Sequence, residues 1–96
     1  MNPGTLIAFG EHVAVVIRME RATVRACIWI HRTGRWMQPK DLAHEKVAQI
    51  IKVAGEHADN PVAQAALENI RRHHGLIPYG GTTTRYVRVW PEGQEP

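Results

Sequence analysis

Residues 11–40 alternate between apolar and polar side chains in short runs, and this alternation limits the possible folds more than any other feature. A period of two that is rich in β-branched residues is typical of strands that bury one face. The apolar positions of the two longest runs are Val13, Val15, Ile17 and Met19 in the first and Val24, Ala26, Ile28 and Ile30 in the second. The pattern predicts two long strands, each with one face in a core.

The residues that end these runs indicate an antiparallel meander. Arg32-Thr33-Gly34 predicts a tight hairpin with Gly34 in the left-handed region. Arg35–Gln38 then returns as a short strand, which Pro39 ends because proline cannot donate to a ladder. The link at Arg21-Ala22 lacks glycine and asparagine, which favours a longer loop. Over about the first forty positions, this run resembles the start of an SH3-like barrel, a fold that carries many unrelated functions.

After Pro39 the apolar period changes to 3.6 residues, which predicts a helix from Asp41 to His57. Its apolar stripe comprises Ala43, Val47, Ile50, Ile51, Ala54 and Ala58. Asn60-Pro61 is a helix start signal, with Asn60 as the N-cap, and Gly75 predicts the end of this second helix. Its predicted inner face comprises Val62, Ala65, Ala66, Ile70 and His73. The two helices form a predicted αα-hairpin over residues 41–75.

The remaining segments complete the predicted fold. Thr5–Phe9 reads as a first strand, and Thr84–Trp90 alternates again and predicts a returning strand. Pro78 and Gly80-Gly81 predict a loop over residues 76–83, and residues 91–96 form a polar tail. The chain is therefore predicted to be one α+β domain, 1–96, in which a small curved antiparallel sheet receives a helical hairpin before its last strand.

Charge is distributed unevenly along a chain whose formal net charge is +3. Residues 12–40 contain six basic residues and one acidic residue, whereas residues 41–70 carry five acids and two lysines. This asymmetry concerns binding partners and not the fold. One cysteine excludes an internal disulfide. A composition rich in arginine and alanine is typical of GC-rich genomes, such as those of actinobacteria or their phages.

No leader-like N-terminus and no long apolar run is present, so the sequence predicts a protein with no membrane partner that is cytoplasmic, or virion-associated if it comes from a phage. No metal-ligand spacing is present among the six histidines and Cys27. We therefore expect no cofactor and no metal.

The strand alternation also predicts a functional surface. If the helices cover one sheet face, the opposite face combines arginines with aromatic rings. This predicted basic–aromatic face comprises Arg18, Arg25, Trp29, His31, Tyr86, Arg88 and Trp90. Arginines interleaved with rings suit single-stranded nucleic acid, and the same residue types dominate protein interfaces. A third interpretation is that some of these aromatics form a second core layer of a barrel.

A non-enzymatic binding or assembly module is the function that the sequence favours, with protein contact slightly ahead of nucleic acid. DNA or RNA binding is one alternative, and a structural subunit of a phage-like assembly is another. A third is a small metal-independent ribonuclease, with His73 as the base and Arg85 as the phosphate clamp. No motif for catalysis supports that enzyme beyond the proximity of these residues in sequence.

Overall fold

Three antiparallel strands form the centre of the structure, a computed structural model that describes residues 2–9, 12–44 and 61–91. They are β1 (Leu6–Phe9), β2 (His12–Met19) and β3 (Thr23–Ile30), at the positions that the alternation predicts. β1 pairs with β2, and β2 pairs with β3. At the end of β3, Gly34 adopts a φ of 67°, and its N–H donates to the Ile30 carbonyl at 2.9 Å. The predicted left-handed glycine is therefore confirmed.

Two short strands share one edge of β3. β4 (Arg35–Trp36) pairs with its C-terminal end and β5 (Lys40–Ala43) with its N-terminal half. The prediction of a helix beginning at Asp41 is therefore wrong at its start. Pairing of Leu42 with Val24 buries Leu42 against β3, and this long-range burial outweighs the local helical period. The remainder of the predicted first helix, from residue 45, lies outside the described residues.

The predicted second helix is confirmed as α1 (Pro61–Arg72). Its buried residues are Ala63, Ala66, Leu67 and Ile70, so the inner stripe includes Ala63 and Leu67, which lay off the predicted face or at its edge. Gly75 ends the turn after α1 with a φ of 81°, a conformation that glycine adopts at little cost. Arg71 and Arg72 lie in the last turn, where positive charge interacts favourably with the helix dipole.

A second hairpin follows the helix, made of β6 (Leu76–Tyr79) and β7 (Arg85–Arg88). The predicted loop over residues 76–83 is therefore too long, because its first half is a strand. Pro78 lies opposite Tyr86. The adjacent pairs carry the hydrogen bonds of this antiparallel ladder, so the missing N–H of Pro78 costs the hairpin no bond. The observed last strand, Arg85–Arg88, is shorter than the predicted strand Thr84–Trp90.

The strand order is β1-β2-β3-β4-β6-β7, with β5 beside β3. The β4–β6 contact is parallel and the others are antiparallel, so the sheet is mixed. No described pairing joins β1 to β7. The sheet is thus open, the SH3-like barrel is not confirmed, and the described chain is a small α+β structure with mostly strands and one helix.

Both faces of the central strands are buried. Val13 lies opposite Trp29 and Val15 opposite Cys27, so these side chains share the face covered by α1. The other face carries a separate cluster, comprising Ile7, Ala14, Val16, Val24, Ala26, Ile28 and Leu42. The sequence predicts that Val13 and Val15 share a core face with Val24 and Ile28. This prediction is wrong, because up to the register shift after Val16 the ladder pairs odd-numbered positions of β2 with odd-numbered positions of β3.

Candidate binding surface

Trp29, one of the predicted surface residues, lies in the core beneath α1. It is 4% exposed, and its ring packs against Trp36 with the centroids 4.8 Å apart and the planes tilted by 57°. Such a pair contributes about 0.5–1.5 kcal/mol beyond area burial. The Trp36 indole N–H donates to Asn69 Oδ1 at 2.8 Å and so links β4 to α1. Trp29 is therefore a core residue that stabilises the fold, which agrees with the interpretation that some of the predicted surface aromatics belong to the core.

Trp90 is also in the core, at 2% exposure. The chain leaves β7 after Arg88, so Val89 and Trp90 both join the cluster beneath α1. A Cβ added at Gly4 would lie 2.5 Å from Trp90 Cδ1, and one added at Gly75 would lie 2.5 Å from Trp90 Cβ. Two glycines thus make room for this ring. Its indole N–H has no hydrogen-bond partner in the described part of the chain.

Arg18 and Arg25 lie opposite each other across the β2–β3 ladder, beside a register shift. Arg18 pairs with Glu20 at 2.6 Å, and Arg25 pairs with Asp41 at 3.2 Å. The two carboxylates offset the repulsion between the arginines, although exposed ion pairs contribute only about 0–1 kcal/mol each. Arg25 is the less exposed of the two, with 33% of its side chain accessible against 62% for Arg18.

His31 is exposed in the turn after β3. Its Nδ1 accepts a hydrogen bond from the Trp29 indole N–H at 3.3 Å. The ring thus covers the polar tip of a core tryptophan, which gives His31 a structural contact whatever else it binds.

Tyr86 and Arg88 are the predicted site residues that lie exposed on the β6–β7 hairpin, where Arg88 Nη1 donates to the Trp90 carbonyl at 3.3 Å. Both are exposed, and Tyr86 is 59% accessible. They share one face of the β6–β7 hairpin with Leu76, which is 37% accessible, and with half-buried Pro78. We call these four residues the outer hairpin face. The seven predicted site residues therefore do not form one surface, since Trp29 and Trp90 are core, Arg18 and Arg25 meet across β2 and β3, and Tyr86 and Arg88 lie on the hairpin.

The edge of β7 adds unpaired backbone groups to this face. Val89 N–H donates to the Gly75 carbonyl at 2.7 Å, so positions 85, 87 and 89 direct their backbone groups toward β6. By the same alternation, the N–H and C=O groups of Tyr86 and Arg88 point away from the sheet. Among the described residues, no strand pairs with that side of β7.

Two adjoining clefts meet at Tyr79, Gly80 and Gly81, and these three residues line both of them. The larger has a volume of about 450 Å³ and includes Arg25, Gln38 and Arg85. The smaller has a volume of about 300 Å³ and includes Arg35 and Asn69. The ribonuclease hypothesis included Arg85 from this region, but Arg35 and Gln38 were missed because only the β4–β6 pairing brings their segment beside the glycine pair.

The two residues of the ribonuclease hypothesis lie apart. His73 Nδ1 donates to the Asn69 carbonyl at 2.8 Å at the end of α1. Arg85 lies opposite Tyr79, at the far end of β6, and a four-residue strand spans about 10 Å. His73 lines neither cleft.

Cys27 is fully buried between strands. Burial raises the pKa of its thiol from 9.0 to about 12, and the nearby Arg25 lowers it only in part. Because the thiolate is the reactive form, this cysteine is poorly suited to nucleophilic chemistry. Within the described ranges, no group of three or more histidine, cysteine or acidic side chains is arranged to hold a metal ion.

No protein-family model, curated protein or solved structure matches this chain. No helix among the described residues is long and apolar enough to span a membrane.

Proposed function

We propose that this chain is a small non-enzymatic binding module that contacts another protein through the outer hairpin face. The observation that carries this proposal is the exposure of Tyr86 beside Arg88 and Leu76 on a strand with an open edge. Tyrosine and arginine are the residue types that most often dominate protein interfaces. Contiguous exposed apolar surface marks interaction sites, and Leu76 and Pro78 adjoin Tyr86 on this face.

The open edge of β7 supports a specific way of binding. An extended segment of a partner can add to a sheet edge, because main-chain hydrogen bonds give affinity while alternate side chains give specificity. Tyr86 and Arg88 supply both kinds of contact, since their backbone groups face outward and their side chains lie on the outer hairpin face.

Photo-crosslinking tests the proposal. A benzoyl-phenylalanine placed at Tyr86 should form a covalent adduct with a defined partner in extracts of the organism that encodes the chain. The same group placed at Thr33, in the exposed β3–β4 turn, is the matched control and should not form that adduct. Leu76→Ala and Arg88→Ala should each reduce the yield of the adduct.

The identity of the adduct separates the alternatives. An adduct with a different protein supports a binding module, and an adduct with a second copy of this chain supports a subunit of an assembly, which a measurement of solution mass checks. Equal labelling from positions 86 and 33 would contradict the proposal.

A further inference from the structure

The larger cleft beside Gly80-Gly81 brings two arginines from distant parts of the chain to one place. Arg25 lies two residues before Cys27 and Arg85 two residues before Val87, so each shares the helix-side face of its strand. Between them, the break at Gln38-Pro39 separates β4 from β5. This break leaves the space that the cleft occupies.

Positive charge in the clefts is only partly neutralised. Arg85 and Arg35 are exposed, and neither has an ion-pair partner among the described residues. Arg25 contacts Asp41 through one nitrogen at 3.2 Å, so its remaining N–H groups can donate elsewhere. No acidic residue is found among the described residues that line either cleft. The chemistry therefore suits an anion.

The other lining groups favour a nucleotide over a simple carboxylate. Tyr79 is half-buried between the two clefts and offers a ring next to the arginines. Gln38 and Thr83 add neutral hydrogen-bonding groups. Gly81 has no atoms within 4 Å of the position that a Cβ would occupy, so a ligand can approach the backbone closely. A volume of about 450 Å³ is more than a carboxylate fills and is enough for a sugar, a phosphate and part of a base.

We infer that single-stranded nucleic acid binds across the Tyr79–Gly81 ridge. Arg25 and Arg85 contact one phosphate, and Arg35 contacts the next phosphate in the smaller cleft. The Tyr79 ring stacks with a base, a contact that is sequence-tolerant because every base has a flat face. A duplex keeps its bases paired and cannot place one against Tyr79. Arg25, Tyr79 and Arg85 lie on the helix side of the sheet, whereas Arg35 lies opposite Ile30 and reaches the smaller cleft from the other face. Pro78 of the outer hairpin face also lines the smaller cleft, but Tyr86 and Arg88 line neither cleft.

Fluorescence anisotropy tests the inference with a labelled single-stranded oligonucleotide, as DNA and as RNA, and with the matching duplex. The single strands should bind more tightly than the duplex, and the affinity should fall as salt rises, because bound phosphates release counterions. Arg25→Ala and Arg85→Ala should each weaken binding about tenfold, as expected for a lost charged hydrogen bond. Each should also reduce the salt slope by about 0.7.

Arg88→Ala is the matched control, because Arg88 lies three residues from Arg85 on the same strand but on the opposite face. This substitution also removes one positive charge, and the affinity for the oligonucleotide should stay within about twofold of the wild-type value, the scale expected for a distant exposed charge. Arg85→Lys keeps the charge without the guanidinium and should recover part of the binding. Circular dichroism of each variant establishes that it is folded.

Three results with the oligonucleotides would overturn the inference: no binding at low salt, tighter binding of the duplex, or equal losses of affinity in Arg85→Ala and Arg88→Ala. Polyglutamate that binds the clefts while the oligonucleotides do not would assign them to an acidic protein segment, and would also overturn it. None of these results bears on the crosslink at Tyr86, so this inference and the proposed function fail independently.

Discussion

The β2–β3 pair and the β6–β7 hairpin contain similar residues and use them differently. β3 places Arg25, Cys27 and Trp29 on the face beneath α1, while Ala26 and Ile28 fill a second cluster on the opposite face. β7 packs only the half-buried Val87 against the cluster beneath α1 and leaves Arg85, Tyr86 and Arg88 exposed. The difference is position, because β3 lies inside the sheet and β7 ends it. Trp29 on the inner strand β3 is therefore core, whereas Tyr86 on the end strand β7 is free to bind.

Replacing an aromatic residue in each region gives the largest expected contrast. Trp29→Ala removes a ring that packs against Trp36 and should lower the free energy of unfolding by about 3–5 kcal/mol. Tyr86→Thr keeps the strand propensity and should change the free energy of unfolding by no more than about 0.5 kcal/mol. Chemical denaturation of both variants measures this. Similar losses in the two variants would contradict the assignment of Trp29 to the core and Tyr86 to the surface.

Substitutions at three glycines test the packing of Trp90, because only one of the three lies against this ring. Gly75→Ala combines a φ of 81° with a Cβ 2.5 Å from Trp90 Cβ, and should destabilise the protein by roughly 3 kcal/mol. Gly34→Ala has a φ of 67° in open space and should cost only about 1–2 kcal/mol. Gly81 has neither a positive φ nor an atom within 4 Å of the added Cβ, so Gly81→Ala serves as the control. Thermal melts rank the three, and equal losses at Gly75 and Gly34 would show that the contact with Trp90 is absent.

Alkaline pH should weaken the inner strands through Cys27. The folded state holds the thiol proton up to a pKa of about 12, whereas the unfolded chain releases it near 9.0. The stabilisation is therefore complete below pH 9 and is lost as the pH rises toward 12, by about 1.4 kcal/mol per unit. Relative to a Cys27→Ala variant, the wild type should lose stability over this range. Parallel pH profiles of the two proteins would contradict a buried thiol.

Proline substitution tests the open edge with a smaller effect. Tyr86→Pro removes an N–H that points away from β6 and should lower stability by about 1 kcal/mol, because edge strands tolerate proline at such positions. Val87→Pro removes an N–H directed toward β6 and should cost about 3 kcal/mol. Urea denaturation of both variants provides the measurement. A reversed order would mean that the pairing of β6 with β7 differs from the one described here.

Local patterns predicted local structure well. The alternation identified β2 and β3, and Pro61 and Gly75 indicated where α1 begins and where the turn after it ends, because such signals are encoded within a few residues. The predicted N-cap, Asn60, lies outside the described residues. Leu42 shows where such signals fail, since its strand conformation depends on pairing with Val24, eighteen positions earlier. Pro78 is unfavourable inside a strand, but β6 accommodates it because Pro78 and Tyr86 form a pair that exchanges no backbone hydrogen bonds.

The candidate site was harder to predict for the same reason. Alternation states which residues share a face of one strand, but only the register between strands states which faces coincide. The odd-to-odd pairing of Val13 with Trp29 moved one predicted surface tryptophan into the core, and the turn after Arg88 moved Trp90 there. Arg25 and Arg85 are sixty residues apart and meet only through the order of the strands. No pattern within either strand contains that information.

Hydroxyl-radical footprinting with mass spectrometry tests the central comparison most directly, because it reads the exposure of each aromatic side chain in the same sample. After correction for intrinsic reactivity, Tyr86 should be oxidised rapidly, while Trp29, Trp36 and Trp90 should be protected until the protein is unfolded. Oxidation of Trp29 or Trp90 at the rate of Tyr86 would contradict the account, because it would return the tryptophans to the surface and remove the distinction between the inner strands and the hairpin.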